Sequence, residues 1–235
     1  MGMHLYNGEV VKNGFAIINN IYSAAEVSAI TNILSSVQAT NGNYRKTADL
    51  FAIRRFFKEV PEVAAPIFND KLKQVIEECL GCGYFVVKSI YFDKPGNSNW
   101  FVAYHQDLTI SVDKKIEASG YGPWTIKGKH FGVQPPLAVL EDNYTIRIHL
   151  DETDASNGAL KVIPGSHTKG IYRPETIDWS VEQEVTCAVE AGGVMIMKPL
   201  LLHSSGRTVN KQSRRVIHIE FSRTALPAGL GWAEY

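Results

Sequence analysis

Short apolar segments separated by turn residues make up most of the chain from Tyr84 onward. These segments are rich in Val, Ile, Tyr and Phe, and Gly, Pro, Asn and Asp stand between them, which predicts β-strands joined by turns. Many short strands of this kind are typical of a sandwich or a barrel. The predicted strands are residues 84–92, 100–105, 131–133, 137–140, 145–150, 159–163, 184–189, 194–198 and 214–222.

The first eighty residues have a helical pattern instead. Ser23 and Glu26 are spaced as in a capping box, in which each side chain accepts a hydrogen bond from the backbone amide of the other residue. Apolar residues then recur at helical spacing over 27–37, and a second apolar stripe over 72–80 stops at Gly81. These stripes predict helices that pack against a core.

No linker, internal repeat or low-complexity stretch divides the chain, so we predict one domain over residues 1–235. Residues 1–83 are expected to form helical support and residues 84–235 the β core. With 24 basic and 24 acidic residues the formal net charge is zero, and no basic stripe favours binding to nucleic acid. No stretch approaches the roughly 18 apolar residues of a membrane span. Without a secretory signal pattern, a cytoplasmic location is predicted; the oligomeric state stays open.

A His-x-Asp triplet lies at the end of one predicted strand. His105 and Asp107 are two residues apart, so on a strand both side chains point to the same side. With His203 they provide two imidazoles and one carboxylate, the set that occupies one face of an octahedral metal in non-haem Fe(II) oxygenases. Arg214, eleven residues after His203, can bind a carboxylate through two parallel hydrogen bonds. This arrangement narrows the fold to a mainly β protein with α support, a double-stranded β-helix (a cupin-like jelly roll) with N-terminal helices packed on the outside.

A second triplet, His149-Leu150-Asp151, is an alternative source of ligands. In the alternating segment 145–150, His149 shares its side with Arg147, and a permanent cation there raises the electrostatic cost of binding a metal ion. We therefore favour the first triplet and predict that His149 is a partly buried histidine with a hydrogen bond.

Three longer segments, beginning at Asn99, His130 and Gly193, closely resemble the bacterial branch of the phytanoyl-CoA dioxygenase family. The HQD triplet, an N-G-A-L…P-G-S-H stretch and the His-x10-Arg spacing carry the resemblance, which runs from about Lys88 onward. Members of this family are Fe(II)- and 2-oxoglutarate-dependent oxygenases that consume O2. The family pattern implies the following roles: iron ligands and catalytic centre at His105, Asp107 and His203, an anchor for 2-oxoglutarate at Arg214, and a supporting polar residue at Ser205.

The resemblance implies hydroxylation of an unidentified small molecule, with release of succinate and CO2. Lys88, on the strand that leads to the HQD segment, is a further candidate for the 2-oxoglutarate pocket. Two alternatives remain open: a non-catalytic metal-binding jelly roll, and an acyl-CoA hydroxylase with a basic entrance for the CoA phosphates. That entrance would use Lys114, Lys115, Lys127 and Lys129. A halogenase is disfavoured, because halide would need the coordination position of Asp107.

Residues 108–130 form the least strand-like part of the β region and predict a long loop. Loops of this length are often lids or binding loops. Tyr121 and Trp124 give it an aromatic patch suited to closing on a substrate, and Arg147 is a third candidate for substrate contact. The alternative is a solvated insertion pinned by one buried Trp.

Overall fold

The structure, a computed structural model, describes residues 4–38 and 41–235. The helices are α1 (His4–Asn13), α2 (Ala24–Ser35), α3 (Phe56–Glu59), α4 (Ala64–Ile67), α5 (Asp70–Cys79) and α6 (Leu137–Asp142), with short 3-10 helices at Pro61–Val63, Ser166–Lys169 and Pro174–Thr176. The strands are β1 (Phe15–Ile18), β2 (Tyr44–Lys46), β3 (Phe51–Arg54), β4 (Phe85–Lys94), β5 (Val102–His105), β6 (Ile110–Val112), β7 (Trp124–Lys127), β8 (His130–Val133), β9 (Tyr144–His149), β10 (Leu160–Val162), β11 (Val185–Cys187), β12 (Val194–Met197), β13 (His203–Ser205) and β14 (Arg214–Ser222).

A seven-stranded antiparallel sheet in the order β1-β12-β9-β14-β4-β3-β2 forms the centre of the molecule. Its strands alternate, so that one face carries apolar side chains such as Ile146, Ile148, Ile217 and Ile219, all fully buried. The apolar faces of the helices complete this core, including Leu72 of α5. The predicted helical support therefore covers one face of the sheet.

A four-stranded sheet, β11-β10-β13-β5, lies across the other face of the large sheet, and both sheets line a common cavity. A third sheet, β6-β8-β7, closes one end with a small core of its own around Ile110, Val133 and Trp232. The prediction of a mainly β jelly roll with external helices is confirmed.

Helix starts follow the predicted capping chemistry. The Ser23 side chain accepts a hydrogen bond from the Glu26 amide, and the Glu26 carboxylate accepts one from the Ser23 amide at 2.8 Å. Asn69 caps α5 in the same way through the amide of Leu72 at 2.9 Å. Among the described residues, no helix is both long enough and apolar enough to cross a membrane.

The N-terminal part is not purely helical, which corrects the prediction for residues 1–83. Strands β1, β2 and β3 come from this part and extend both edges of the large sheet. The segment Phe15–Ile18 alternates between half-buried and buried positions, the period of a strand. Alternation over only four residues is too short a signal to predict a strand.

Residues 137–140 were predicted as a strand and instead begin helix α6. The run Leu-Ala-Val-Leu is apolar throughout, and such a run does not distinguish a strand from a buried helix. Pro136 precedes the helix, where a fixed φ is compatible with helix initiation.

The prediction of a continuous loop over residues 108–130 is also wrong. Strands β6, β7 and β8 pair within and just beyond this segment, with Ile110 and Trp124 both opposite Val133. The longest part of it without strand structure is residues 113–123, which join β6 to β7. The charged residues Asp113, Lys114, Lys115 and Glu117, which suggested a loop, lie in this connection.

Candidate functional site

Two histidines and one aspartate converge between the sheets. His105 of β5 and His203 of β13 are register partners, with ring centroids 4.2 Å apart. The Nε2 atom of each ring lies 3.8 Å from an oxygen of the Asp107 carboxylate, which follows the end of β5. The three ligand atoms lie within 4.8 Å of one another, a group that one metal ion can bridge. The structure thus brings together the three residues that the sequence singled out.

Backbone carbonyls fix the orientation of both imidazole rings. The Nδ1 atom of His105 lies 2.9 Å from the carbonyl oxygen of Ala103, and that of His203 lies 2.8 Å from the oxygen of Leu201. Because a carbonyl can only accept, Nδ1 carries the proton in each ring and Nε2 keeps its lone pair. The lone pairs are directed toward Asp107, the tautomer that a metal site requires.

The protonation states of His203 and Asp107 also suit the binding of a metal cation. Burial lowers the pKa of His203 to about 4, so this ring is neutral near pH 7. Burial acts to raise the pKa of Asp107, but His203, His218, Lys88 and His105 outweigh it and lower that pKa to about 2. A neutral imidazole and an ionised carboxylate are the forms that coordinate metal.

Gln106, between the candidate ligands His105 and Asp107, holds the HQD segment in place. Its buried amide donates to the carbonyls of Gly170 at 2.8 Å and Leu200 at 2.6 Å, and it accepts from the amide of Tyr172 at 2.9 Å. Sequence analysis had treated Gln106 only as part of the motif. Its partners are distant backbone groups, which no residue pattern identifies.

Gln106→Leu is expected to lower the free energy of unfolding of the metal-free protein by about 2–4 kcal/mol, because it leaves buried backbone groups without partners. Urea denaturation measures this change. Gln74→Leu is the matched control, since the Gln74 amide bonds only to Glu78 on an exposed helix face. Equal stabilities for the two variants would contradict the role given to Gln106.

A cavity of about 240 Å³ lies in front of the three ligands, with buried cations in its wall. Arg214, the first residue of β14, donates through Nη1 to the carbonyl of Gly158. Arg147 of β9 has its Nη1 3.1 Å from Nδ1 of His218. The Nε atoms of both arginines are buried and have no hydrogen-bond partner among the described residues. Two buried guanidinium groups with free donors make the cavity suited to an anion.

Burial lowers the pKa of Arg147 to about 10. Burial, together with the charge of Arg147, lowers the pKa of Arg214 to about 9. Both values lie above neutral pH, so both side chains remain cationic there. The two like charges raise the free energy of the site, and an anionic ligand would relieve this cost.

Ser205 and Lys88, the other predicted 2-oxoglutarate residues, line the same cavity. Ser205 is buried on β13, two residues after His203. The ammonium of Lys88 lies 2.6 Å from the Glu220 carboxylate, whose Oε1 atom is also 3.1 Å from Nε2 of His218. Lys88 is therefore already ion-paired, and its contact with a co-substrate stays a prediction.

Lys88, Glu220, His218 and Arg147 together form a polar chain across strands β4, β14 and β9. Sequence analysis missed His218 and Glu220. The signal was present, since Arg214, His218 and Glu220 fall on one side of an alternating strand whose other side is apolar after Arg215. Their partners depend on strand register, which the sequence does not specify.

The alternative triplet does not converge on a metal site. Nδ1 of His149 lies 2.8 Å from the hydroxyl oxygen of Thr153, and burial holds the pKa of this ring well below its usual value. The Asp151 carboxylate is 2.6 Å from Nη2 of Arg215 and also accepts from its Nε. Within the described part of the chain, the group of His105, Asp107 and His203 is the one with ligand spacing.

The aromatic residues proposed for a lid are placed away from the ligands. Tyr121 and Trp124 are half-buried and pack against the small core of the third sheet. Neither lines the cavity beside His105 and His203, whereas Arg147, the third substrate candidate, does. The basic residues proposed as an acyl-CoA entrance are exposed, and the cavity lining contains none of them: Lys114, Lys115, Lys127 and Lys129.

Trp124→Ala is expected to destabilise the protein by about 2–3 kcal/mol, less than the roughly 3–5 kcal/mol of a fully buried Trp. Iron content, 2-oxoglutarate affinity and the ratio of succinate to hydroxylated product should stay unchanged. Trp179→Ala is the control, because Trp179 is 55% exposed and should cost little stability. A changed ratio with unchanged stability would instead support a lid.

The profile of the family described as phytanoyl-CoA dioxygenase (PhyH) matches residues 10–216. The curated protein "Phytanoyl-CoA dioxygenase, peroxisomal" of Bos taurus is 21% identical over 246 residues. That match covers 90% of this chain and 66% of the bovine protein, so the chain spans slightly less than two thirds of its relative.

Solved structures with the same fold include EctD from S. alaskensis with bound Fe, with a TM-score of 0.70 and 19% identity. It covers 92% of this chain and 75% of the EctD chain. A second is the non-heme alpha ketoglutarate dependent carbocyclase SnoK from nogalamycin biosynthesis, with a TM-score of 0.66 and 14% identity, covering 96% of this chain and 88% of SnoK. These similarities agree with the jelly-roll architecture.

Proposed function

Because the chain belongs to the phytanoyl-CoA dioxygenase family, we propose that it is an Fe(II)- and 2-oxoglutarate-dependent dioxygenase acting on a small molecule. The reaction would hydroxylate this substrate with O2 and release succinate and CO2. The observation that carries the proposal is the convergence of His105, Asp107 and His203 beside two buried arginines with free donors. Three protein ligands on one face leave positions for a co-substrate and oxygen.

The donor set fits iron. Two imidazoles present Nε2 atoms, and an ionised carboxylate completes the triad. When bound, iron and 2-oxoglutarate supply oxygen activation and the abstraction of hydrogen, and the protein supplies binding and orientation. The similar protein EctD has been crystallised with Fe, and with 2-oxoglutarate and 5-hydroxyectoine.

The cavity wall fits a dicarboxylate. Arg214 would hold the distal carboxylate of 2-oxoglutarate through its fork of donors, assisted by the Ser205 hydroxyl. Arg147 adds a second cation on the neighbouring strand and would share in binding the co-substrate or the substrate. Lys88 remains a further cation of this pocket, with its charge balanced by Glu220. A purely metal-binding protein would have no use for the free arginine donors.

The test is an oxygen-uptake assay on protein reconstituted with Fe(II) without oxygen. We expect one Fe(II) per chain, binding of 2-oxoglutarate to the iron-loaded protein, and succinate formation that accelerates with at least one member of a metabolite panel. Protein that binds Fe(II) but shows no affinity for 2-oxoglutarate would overturn the proposal and favour the metal-binding alternative.

A further inference from the structure

A larger cavity of about 400 Å³ adjoins the 240 Å³ cavity beside His105, Asp107 and His203, which is called the metal cavity below. Lys88 and Ile90 of β4 line both spaces. Thr109, two residues after the ligand Asp107, lines the larger one. A molecule in this cavity would therefore lie beside the metal ligands, and the volume is within the range of small-molecule sites.

The lining is rich in positive charge. Arg54, Arg55 and Lys127 line the cavity, and among the described residues none of their side chains forms a hydrogen bond or an ion pair, although the charge of Arg55 acts on Glu234. The one carboxylate in the lining, Glu234, accepts from the amide and hydroxyl of Ser89 at 2.8 and 2.5 Å. The whole chain has zero formal charge, so this concentration of cations is local.

Arg55 is held in an unusual conformation beside this cavity. Its φ of +52° lies in the left-handed region, which costs free energy for a residue with a Cβ atom. Its carbonyl accepts from the amides of Lys58 at 2.8 Å and Glu59 at 3.0 Å, which fixes this backbone at the start of α3. Its Nε is buried without a partner among the described residues. An acceptor supplied by a ligand would satisfy this donor.

The remaining walls are partly apolar. Ile90, Val112 and Phe131 lie in the same lining as the cations. The cavity thus has an apolar wall next to a cationic one, the combination that orients a small amphiphilic ligand.

We infer that this cavity binds an anionic group of the substrate, a carboxylate or a phosphate, through Arg54, Arg55 and Lys127. The rest of the substrate extends past Ile90 to present its reacting carbon in the metal cavity. The inference rests on the proposed oxygenase function and names the chemical class of its substrate as a small organic anion.

The test measures binding of three probes by calorimetry, without oxygen, to protein loaded with Fe(II) and saturated with 2-oxoglutarate. Saturation keeps the probes away from Arg214, the proposed anchor of 2-oxoglutarate. The probes are phenyl phosphate, benzoate and the neutral benzyl alcohol. We expect at least one anion to bind about tenfold or more tightly than the alcohol, since charge-assisted hydrogen bonds exceed neutral ones. The tighter anion identifies the phosphate or the carboxylate as the preferred group.

The binding of the preferred anion should become about tenfold weaker in each of three variants: Arg54→Gln, Arg55→Gln and Lys127→Gln. Iron content and 2-oxoglutarate affinity should not change. Lys115→Gln is the control, because Lys115 is exposed and lies outside the lining. A substitution at the strained Arg55 can impair folding. Lys127 lies on the exposed strand β7, so the Lys127→Gln variant can still be measured in that case.

Equal binding of benzyl alcohol and both anions, or an unchanged anion affinity in the variants that fold, would overturn the inference while leaving the proposed oxygenase intact. Wild-type protein that fails to bind 2-oxoglutarate would overturn the proposed function, and the inference with it. The two failures are therefore distinguishable in one set of titrations.

Discussion

Alanine at His105, Asp107 or His203 is expected to abolish iron binding and, with it, 2-oxoglutarate-dependent turnover. Each residue supplies one of three ligand atoms that lie within 4.8 Å of one another, so each loss leaves only two. The loss in iron affinity should exceed the roughly 10–100-fold cost of removing a hydrogen-bond partner of a ligand. Iron content after reconstitution and gel filtration, together with succinate formation, measures the effect.

His149→Ala and Asp151→Ala are the matched controls, because they form the second His-x-Asp triplet of the chain. Both should keep iron, although removal of the buried His149 ring is expected to reduce stability. Iron that is lost in His149→Ala and retained in His105→Ala would move the metal site to the second triplet.

Arg214→Ala is expected to weaken 2-oxoglutarate binding without loss of iron. Truncating one partner of a buried charge pair costs about 2–5 kcal/mol, which corresponds to a rise of between about 30-fold and several thousand-fold in the apparent constant. Arg214→Lys should recover only part of the affinity, because an ammonium cannot donate two parallel hydrogen bonds. Titration of iron-loaded protein with 2-oxoglutarate, without oxygen, gives the constants.

Arg215→Ala provides the control at the adjacent position. Arg215 points away from the cavity lining and is ion-paired with Asp151 at 2.6 Å. It should leave 2-oxoglutarate affinity unchanged. If instead Arg215→Ala lowers the affinity for 2-oxoglutarate and Arg214→Ala does not, the anchor has been assigned to the wrong arginine.

The sequence singled out the candidate metal ligands because part of their chemistry is local. Residues two apart on a strand share a side, so His105 and Asp107 form a pair before any fold is known. Strand patterning along single segments indicated a sandwich or a barrel, and the arrangement of the candidate metal ligands narrowed this to a jelly roll. Ligand chemistry and the resemblance to a family both suggested His203 as the third ligand, but the pairing of His105 with His203 depends on long-range register, which only the structure gives.

The features that sequence analysis missed depend on contacts between distant segments. The polar chain that ends at Arg147 and Lys88 needs the registers of three strands. Arg54 and Arg55 come from a part of the chain predicted to be helical support, yet they form a wall beside the metal cavity. Helix α6 was missed because an apolar run of four residues shows neither the period of a strand nor that of a helix.

Strand β5 lies at the edge of its sheet, with β13 as its neighbour. It carries His105 and leads directly to Asp107, while β13 carries His203. A bound metal would therefore cross-link an edge strand to the next strand, and by linkage would stabilise their pairing against local opening. The same linkage works in reverse. A substitution that frays β5, such as one at Tyr104, should lower metal affinity while leaving every ligand atom in place, so metal affinity depends on the local stability of this strand as well as on its ligands.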